Sequence, residues 1–260
     1  MRLILAFFLA LLLTSCASVP TDNNPNASAS ELYNNAVKLL QDGSYTAAIT
    51  EFQTLQARYP YGIYATQAQL DIAYAYYKQD DEQSASDACD NFIKLHPNNK
   101  NVDYAYYLKG LANFNYHRSL VDRLTNQDMA LRDPKETKAS FFAFKTLVTQ
   151  FPQSRYAPDA KKRLIFLVNS LARYDISVGR YYLRRGACVA AANRAKYVLL
   201  NYPETSQTEN AMILLAQAYQ KLGLTHLASD SLKVLNQNFP DNKAINQSKV
   251  LSSKHWWKFW

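Results

Sequence analysis

Residues 30–60 read SELYNNAVKLLQDGSYTAAITEFQTLQARYP. Leu32, Ala36, Leu39 and Leu40 recur at helical spacing and make one apolar stripe, which Gly43 ends. Tyr45, Ala48, Phe52 and Leu55 make a second stripe, and Pro60 closes it, because proline cannot continue a helix. The pattern predicts two helices folded back on each other. Small Ala36 and Ala48 let the pair approach closely, and Phe52 fills the next gap. One such hairpin cannot bury its own apolar surface, so neighbours must stack on it.

The neighbours are present. Ala73, Tyr76, Ala85, Cys89 and Phe92 repeat the logic before Pro97, and Ala216, Tyr219, Gly223, Ala228, Leu232 and Leu235 repeat it before Pro240. Tyr59-Pro60, His96-Pro97, Phe151-Pro152, Tyr202-Pro203 and Phe239-Pro240 punctuate the chain, and the first two and the last two are each 37 residues apart. These positions resemble the tetratricopeptide (TPR) pattern. The two middle intervals are longer, 55 and 51 residues. The third repeat is expected to hold a helix from about Val102 to His117 carrying Gly110, then a charged insertion near 119–132. Its second helix is expected to start at Asp133-Pro134-Lys135-Glu136, with Asp133 as N-cap, Pro134 at the first helical position and Glu136 completing a capping box. The fourth is expected to hold a long helix from about Arg155 to Arg184, a turn at Gly186, and a helix carrying Ala191, Ala195 and Val198. The fold expected is all-α, a right-handed superhelix of about five TPR-like helix hairpins. Such arrays present long surfaces that hold other proteins.

The N-terminus carries an address. Arg2 precedes an apolar run from Leu3 to Leu13, too short to span a bilayer, and Leu13-Thr14-Ser15-Cys16 follows. This reads as a signal peptide over residues 1–15 ending in a lipobox, with Cys16 the lipidated residue of an exported bacterial lipoprotein. Several acyl chains on one cysteine anchor stably where one alone does not. Ala17, where an aspartate would favour inner-membrane retention, points to the outer membrane and its periplasmic face. Residues 16–29 are small and polar and read as a lipidated tether, or as an arm that orders on a partner. The formal charge is +8, or +7 without Arg2. Export argues against nucleic acid and leaves acidic protein faces or anionic headgroups as partners. Cys89 and Cys188 sit among small and apolar helix residues in different repeats and read as buried thiols.

No catalytic or metal-binding constellation is visible. His96, His117, His226 and His255 lack ligand spacing, and Asp80-Asp81-Glu82 falls where a hairpin turns. No cofactor is expected beyond the covalent lipid on Cys16. Tyrosine is abundant at 19 residues, crowding the first three repeats. It suits peptide grooves because it offers flat apolar area with a polar tip, although inter-repeat packing accounts for about half of such residues. Each repeat's first helix lines the inner face, which places Tyr64, Gln67, Asp71 and Tyr74 in a candidate groove within residues 30–152. Basic residues gather in 153–245. Most read as a solvated face, but Arg194, beside Asn193 in a small-residue helix, reads as an interface anchor. The tail, 246–260, ends Lys254-His255-Trp256-Trp257-Lys258-Phe259-Trp260 and holds all three tryptophans. A membrane interface, packing on the last helix, and docking on a partner or in the chain's own groove all suit it.

Several strings resemble the BamD family, lipoproteins of the outer-membrane β-barrel assembly machine. They are Asp71-x-x-Tyr74-Ala75-Tyr76-Tyr77-Lys78, Asp103-Tyr104 with Gly110-Leu111, and Arg132-Asp133-Pro134. The longest run is Lys162-Arg163-Leu164-x-Phe166-Leu167, Leu171-Ala172-x-Tyr174, Ser177-Val178, Tyr181-Tyr182, Arg185-Gly186-Ala187-x-Val189-Ala190 and Asn193-Arg194. The resemblance spans about residues 30–220 and departs in the insertion and the tail. It implies a non-enzymatic scaffold with two kinds of contact. The N-terminal repeats would receive C-terminal segments of unfolded outer-membrane proteins. The C-terminal repeats would dock on the periplasmic domain of a BamA-type insertase, with Arg185, Asn193 and Arg194 at that contact and other lipoproteins of the machine as companions. A periplasmic TPR lipoprotein coordinating cell-wall synthesis would need the same fold and anchor, so only these strings separate the two.

Overall fold

The computed structural model describes residues 26–115 and 134–240, which hold ten α-helices in five hairpins. They are α1 (Ala29–Gln41) with α2 (Tyr45–Arg58), α3 (Ile63–Lys78) with α4 (Glu82–Leu95), and α5 (Val102–Asn115) with α6 (Lys135–Gln150). The series ends with α7 (Ala157–Arg184) with α8 (Cys188–Asn201), and α9 (Thr208–Lys221) with α10 (Thr225–Asn238). The signal peptide, Cys16, the insertion at 119–132 and the tail lie outside the described residues. Packing divides the chain after Pro97 into two compact units, hairpins one and two in the first and three to five in the second.

The tight hairpins turn by one device. At the end of α1, Gly43 takes φ +77°, its N–H donates to the Leu40 carbonyl, and the Ser44 N–H reaches back to Leu39. Gly186 and Gly223 do the same at φ +78° and +76°, with Ala187 N–H donating to Tyr182 and Leu224 N–H to Tyr219. The bonds satisfy carbonyls that a helix end would otherwise leave open. Asp80 occupies the same place in the second hairpin at φ +58°, the only non-glycine among the described residues with positive φ.

The second helices share one register measured from the closing prolines, despite the unequal intervals. Twelve positions before each proline stand Ala48, Ala85, Ser140, Ala191 and Ala228, and all five are buried. Five positions before stand Leu55, Phe92, Leu147, Val198 and Leu235, also buried. Ser140 is the polar member of the first set. Its hydroxyl donates to the Gly110 carbonyl at 2.8 Å, so the buried oxygen is satisfied. Gly110 itself is fixed by sterics: a Cβ there would overlap the Phe144 ring, which is fully buried. Three apolar clusters follow from this register, one across α1, α2 and α3, one across α5, α6 and α7, and one across α7, α8 and α9.

Two expected helix starts shift. The first domain begins before residue 30: Ser28 caps α1 in a capping box with Glu31, Ala27 is buried, and its carbonyl accepts from the Tyr59 hydroxyl at 3.0 Å. At α6 the shift is of one position. Pro134 occupies the N-cap instead of the first helical position, its carbonyl accepts from Lys138 N–H at 2.8 Å, and Asp133 lies outside the described residues. Proline with φ −80° and ψ 12° supplies the turn conformation and has no side-chain acceptor to offer.

Candidate functional site: two binding faces

Tyr64, Gln67, Asp71 and Tyr74 are spaced three, four and three along α3, so they share one face, and all four are half-buried. The structure joins two of them, Tyr64 and Asp71, to α1, and Gln67 to Asp71. Asp71 Oδ2 accepts from the Tyr33 hydroxyl at 2.8 Å, and Asp71 Oδ1 accepts from Gln67 Nε2 at 3.1 Å. Tyr64 donates to Ser30 Oγ at 3.2 Å, and its ring lies 5.3 Å from that of Tyr33. Burial pushes the Asp71 carboxyl up, and the two donors hold it partly down. Burial and the adjacent carboxylate push the Tyr33 hydroxyl up, so it stays a donor. Tyr74 continues the face one turn on. Tyr33 and Ser30 were not singled out from the sequence; the clue available was Tyr33, one helical turn before Ala36 at the edge of the first core stripe.

Other tyrosines pack between hairpins. Tyr107 stacks on Tyr156 at 4.7 Å and donates to Asp159 Oδ2 at 2.8 Å, where Arg163 Nε also donates at 2.6 Å. Arg163 keeps the Asp159 carboxyl low, whereas burial leads in pushing the Tyr107 hydroxyl up to about 12.

The second face is built on α8 and the end of α7. Arg185 caps α7, is exposed, and lies over the Tyr181 ring at 5.6 Å. Asn193 is exposed on α8, and Arg194 next to it is turned inward. Its guanidinium meets Asp175 of α7 at 2.6 Å, and Asp175 is only 4% exposed. Burial pushes the Asp175 carboxyl up, and Arg194 draws it back down. Arg194 is therefore first a structural partner, with part of its side chain left at the surface. Sequence reasoning missed Asp175, and it missed the apolar residues that flank Asn193. Val189, Tyr197 and Leu200 are 59%, 44% and 79% exposed. With Asn193 they share one face of α8, away from the buried stripe of Ala191, Ala195 and Val198. The spacing was readable; its orientation became clear only once the core stripe was fixed.

A family model described as YfiO, outer membrane lipoprotein, matches residues 25–235. The chain is 39% identical to "Outer membrane protein assembly factor BamD" of Neisseria meningitidis serogroup A over its whole length and 99% of that protein. This chain belongs to the BamD family. A BamD protein of Vibrio cholerae is 38% identical over 87% of the chain and 94% of its own length, and one of Haemophilus influenzae is 35% identical over 88% and 87%. Family membership identifies the chain as an outer-membrane assembly factor and disfavours the cell-wall reading. Crystal structures of MamA and of a thermophilic TPR protein from Thermus thermophilus overlap 87% and 86% of the chain at 16% identity, with TM-scores of 0.39 and 0.37. Superpositions that loose bear on nothing further. Among the described residues no helix is long and apolar enough to cross a membrane, and no cluster of His, Cys, Asp and Glu could hold a metal ion.

Proposed function

We propose that this BamD-family chain acts as a non-enzymatic scaffold, anchored by lipid on Cys16 to the periplasmic face of the outer membrane. The α1–α3 face, with Tyr64, Gln67, Asp71 and Tyr74, receives C-terminal segments of unfolded β-barrel proteins. The α8 face, with Arg185, Asn193 and Arg194, docks on the periplasmic domain of a BamA-type insertase, alongside the other lipoproteins of the machine. The observation that carries the docking reading is the row of Val189, Tyr197 and Leu200, three large apolar side chains standing in solvent beside Asn193. Aromatic and apolar residues around a polar contact are the composition of an interface centre.

A photo-crosslinking residue at Tyr197 tests this in cells. The expected product joins the chain to the insertase. A product with another protein, no product at all, or an equal yield of the insertase product from a residue at Lys38 of α1 would overturn the docking assignment.

A further inference from the structure

The fifth hairpin leaves apolar surface in water. Leu224, Leu227 and Val234 are 44%, 46% and 43% exposed, and Leu222 at the preceding turn is 38% exposed. Leu224, Leu227, Ser231, Val234 and Asn238 follow one another at three- and four-residue steps, so they form one unbroken stripe along α10. From Leu224 to Asn238 it measures about 21 Å. The stripe lies to one side of buried Ala228 and Leu235, and polar Ser229 and Asn236 lie to the other.

No charge stands in the stripe. Ser231 turns its hydroxyl back to donate to the Leu227 carbonyl at 2.8 Å, and the Asn238 side chain donates to the Val234 carbonyl at 2.8 Å. Asp230 and Lys233, outside the stripe, pair with each other at 3.1 Å. On α8 the equivalent line, 37 residues earlier, is charged at its centre, where Arg194 meets Asp175 of α7. Ser231 takes the place of Arg194 on α10, so this line is open to an apolar occupant.

We propose that the occupant is the chain's own segment 241–260, which returns along α10 and lays Trp256, Trp257 and Trp260 on the stripe. The segment follows α10 directly. Sixteen residues lead from Pro240 to Trp256, a reach of about 24 Å as a helix or about 53 Å extended, and either exceeds the length of the stripe. The tryptophans supply the broad flat area that packs on short aliphatic side chains. A segment tethered this near acts at a concentration of about millimolar, so it claims the face ahead of a free partner. A bilayer is the weaker destination for the tail, because it would carry the tryptophans away and leave Leu224, Leu227 and Val234 in water. Neither proposed binding face includes these residues, so this assignment stands or falls independently of both.

All three tryptophans of the chain lie in this segment, so tryptophan fluorescence of the full chain reads it alone. The emission should lie to the blue of that in urea, and acrylamide should quench it severalfold less. Leu227→Ser with Val234→Ser should move both readings most of the way to the urea values. Ser229→Ala with Asn236→Ala, on the other side of the helix, should leave them unchanged. Hydrogen exchange separates docking from misfolding. Ending the chain after Pro240 should speed exchange across α10 severalfold. The serine variant, and the serine variant ended after Pro240, should match that rate within about twofold, because each change removes the same contact. Exchange faster in the full-length serine variant than in the shortened chain would assign Leu227 and Val234 to the hairpin itself and overturn the proposal. So would tryptophans as quenchable in buffer as in urea, or a blue shift that appears only with phosphatidylglycerol vesicles. A shift lost on dilution, the mark of docking between copies, would overturn it as well.

Discussion

Asp175 is the residue on which the proposed docking face rests. Its carboxyl is nearly sealed from water, and burial raises its affinity for a proton above that of the unfolded chain. A group whose pKa is raised on folding favours the fold in acid and opposes it as pH rises through the folded value. Arg194 offsets that opposition at neutral pH. Arg194→Ala should therefore cost about 2 kcal/mol at pH 7, somewhat below the usual figure for a broken buried pair because the guanidinium is partly exposed. The loss should shrink in acid, where Asp175, its pKa raised by burial, is protonated, and urea unfolding at neutral and acid pH measures it. A loss equal at both would mean the pair carries no charge-dependent weight. The same geometry changes how the interface must be probed. Arg194→Glu sets a second carboxylate beside a buried one, so it damages the α7–α8 contact as well as any partner contact. Leu200→Ser leaves the pair alone. It should lower copurification with the insertase severalfold while changing unfolding stability by less than about 0.5 kcal/mol.

Among the elements, the turns show best what the sequence discloses. The aromatic-proline dipeptides and the glycines at 43, 186 and 223 announced hairpin ends, and each glycine has the positive φ that makes it the natural choice there. Asp80 announced only a loop. Its left-handed conformation became visible through the bonds around it, the Asp81 N–H reaching back to the Tyr76 carbonyl at 3.0 Å as its counterparts do. Asp80→Gly is expected to stabilise the chain by about 0.5 kcal/mol, since an L-residue with a side chain is strained at that φ and glycine's looser unfolded state cancels only part of the relief. Gly186→Ala should cost about 1 kcal/mol by the same reasoning in reverse, and paired thermal unfolding curves check both. The core stripes were legible because periodicity and small-residue spacing are local properties. The Tyr33–Asp71 and Arg194–Asp175 bonds were not, because each joins helices whose rotation is set by packing, which no single helix encodes. The start of α6 misled for a related reason. Asp-Pro-x-Glu has the composition of a capped helix, yet the proline takes the cap position itself.

At the scale of the whole molecule, the array has an end as well as a repeat. Ala192 and Leu199 of α8 belong to the cluster shared with α9, whereas their counterparts 37 residues on, Ser229 and Asn236 of α10, are polar and exposed. A polar outer face of this kind is what terminates a stacked array. Within such arrays stability is a sum over hairpins and their immediate contacts, so damage stays local. The division after Pro97 gives that rule a functional consequence here. The Tyr64–Asp71 face lies in the first unit and the α8 face in the second. Phe52 is fully buried in the α1–α3 cluster, and Leu214 is almost so in the α7–α9 cluster. Phe52→Ala and Leu214→Ala should each cost about 3 kcal/mol. Under hydrogen exchange with mass detection, Phe52→Ala should speed exchange through α1 to α4 and leave α8 and α9 at wild-type rates, and Leu214→Ala should do the converse. The first variant would then lose capture of unfolded substrate segments while still copurifying with the insertase. If either change instead speeds exchange evenly from α1 to α10, the chain opens as one cooperative body, and the two binding activities would fail together in both variants.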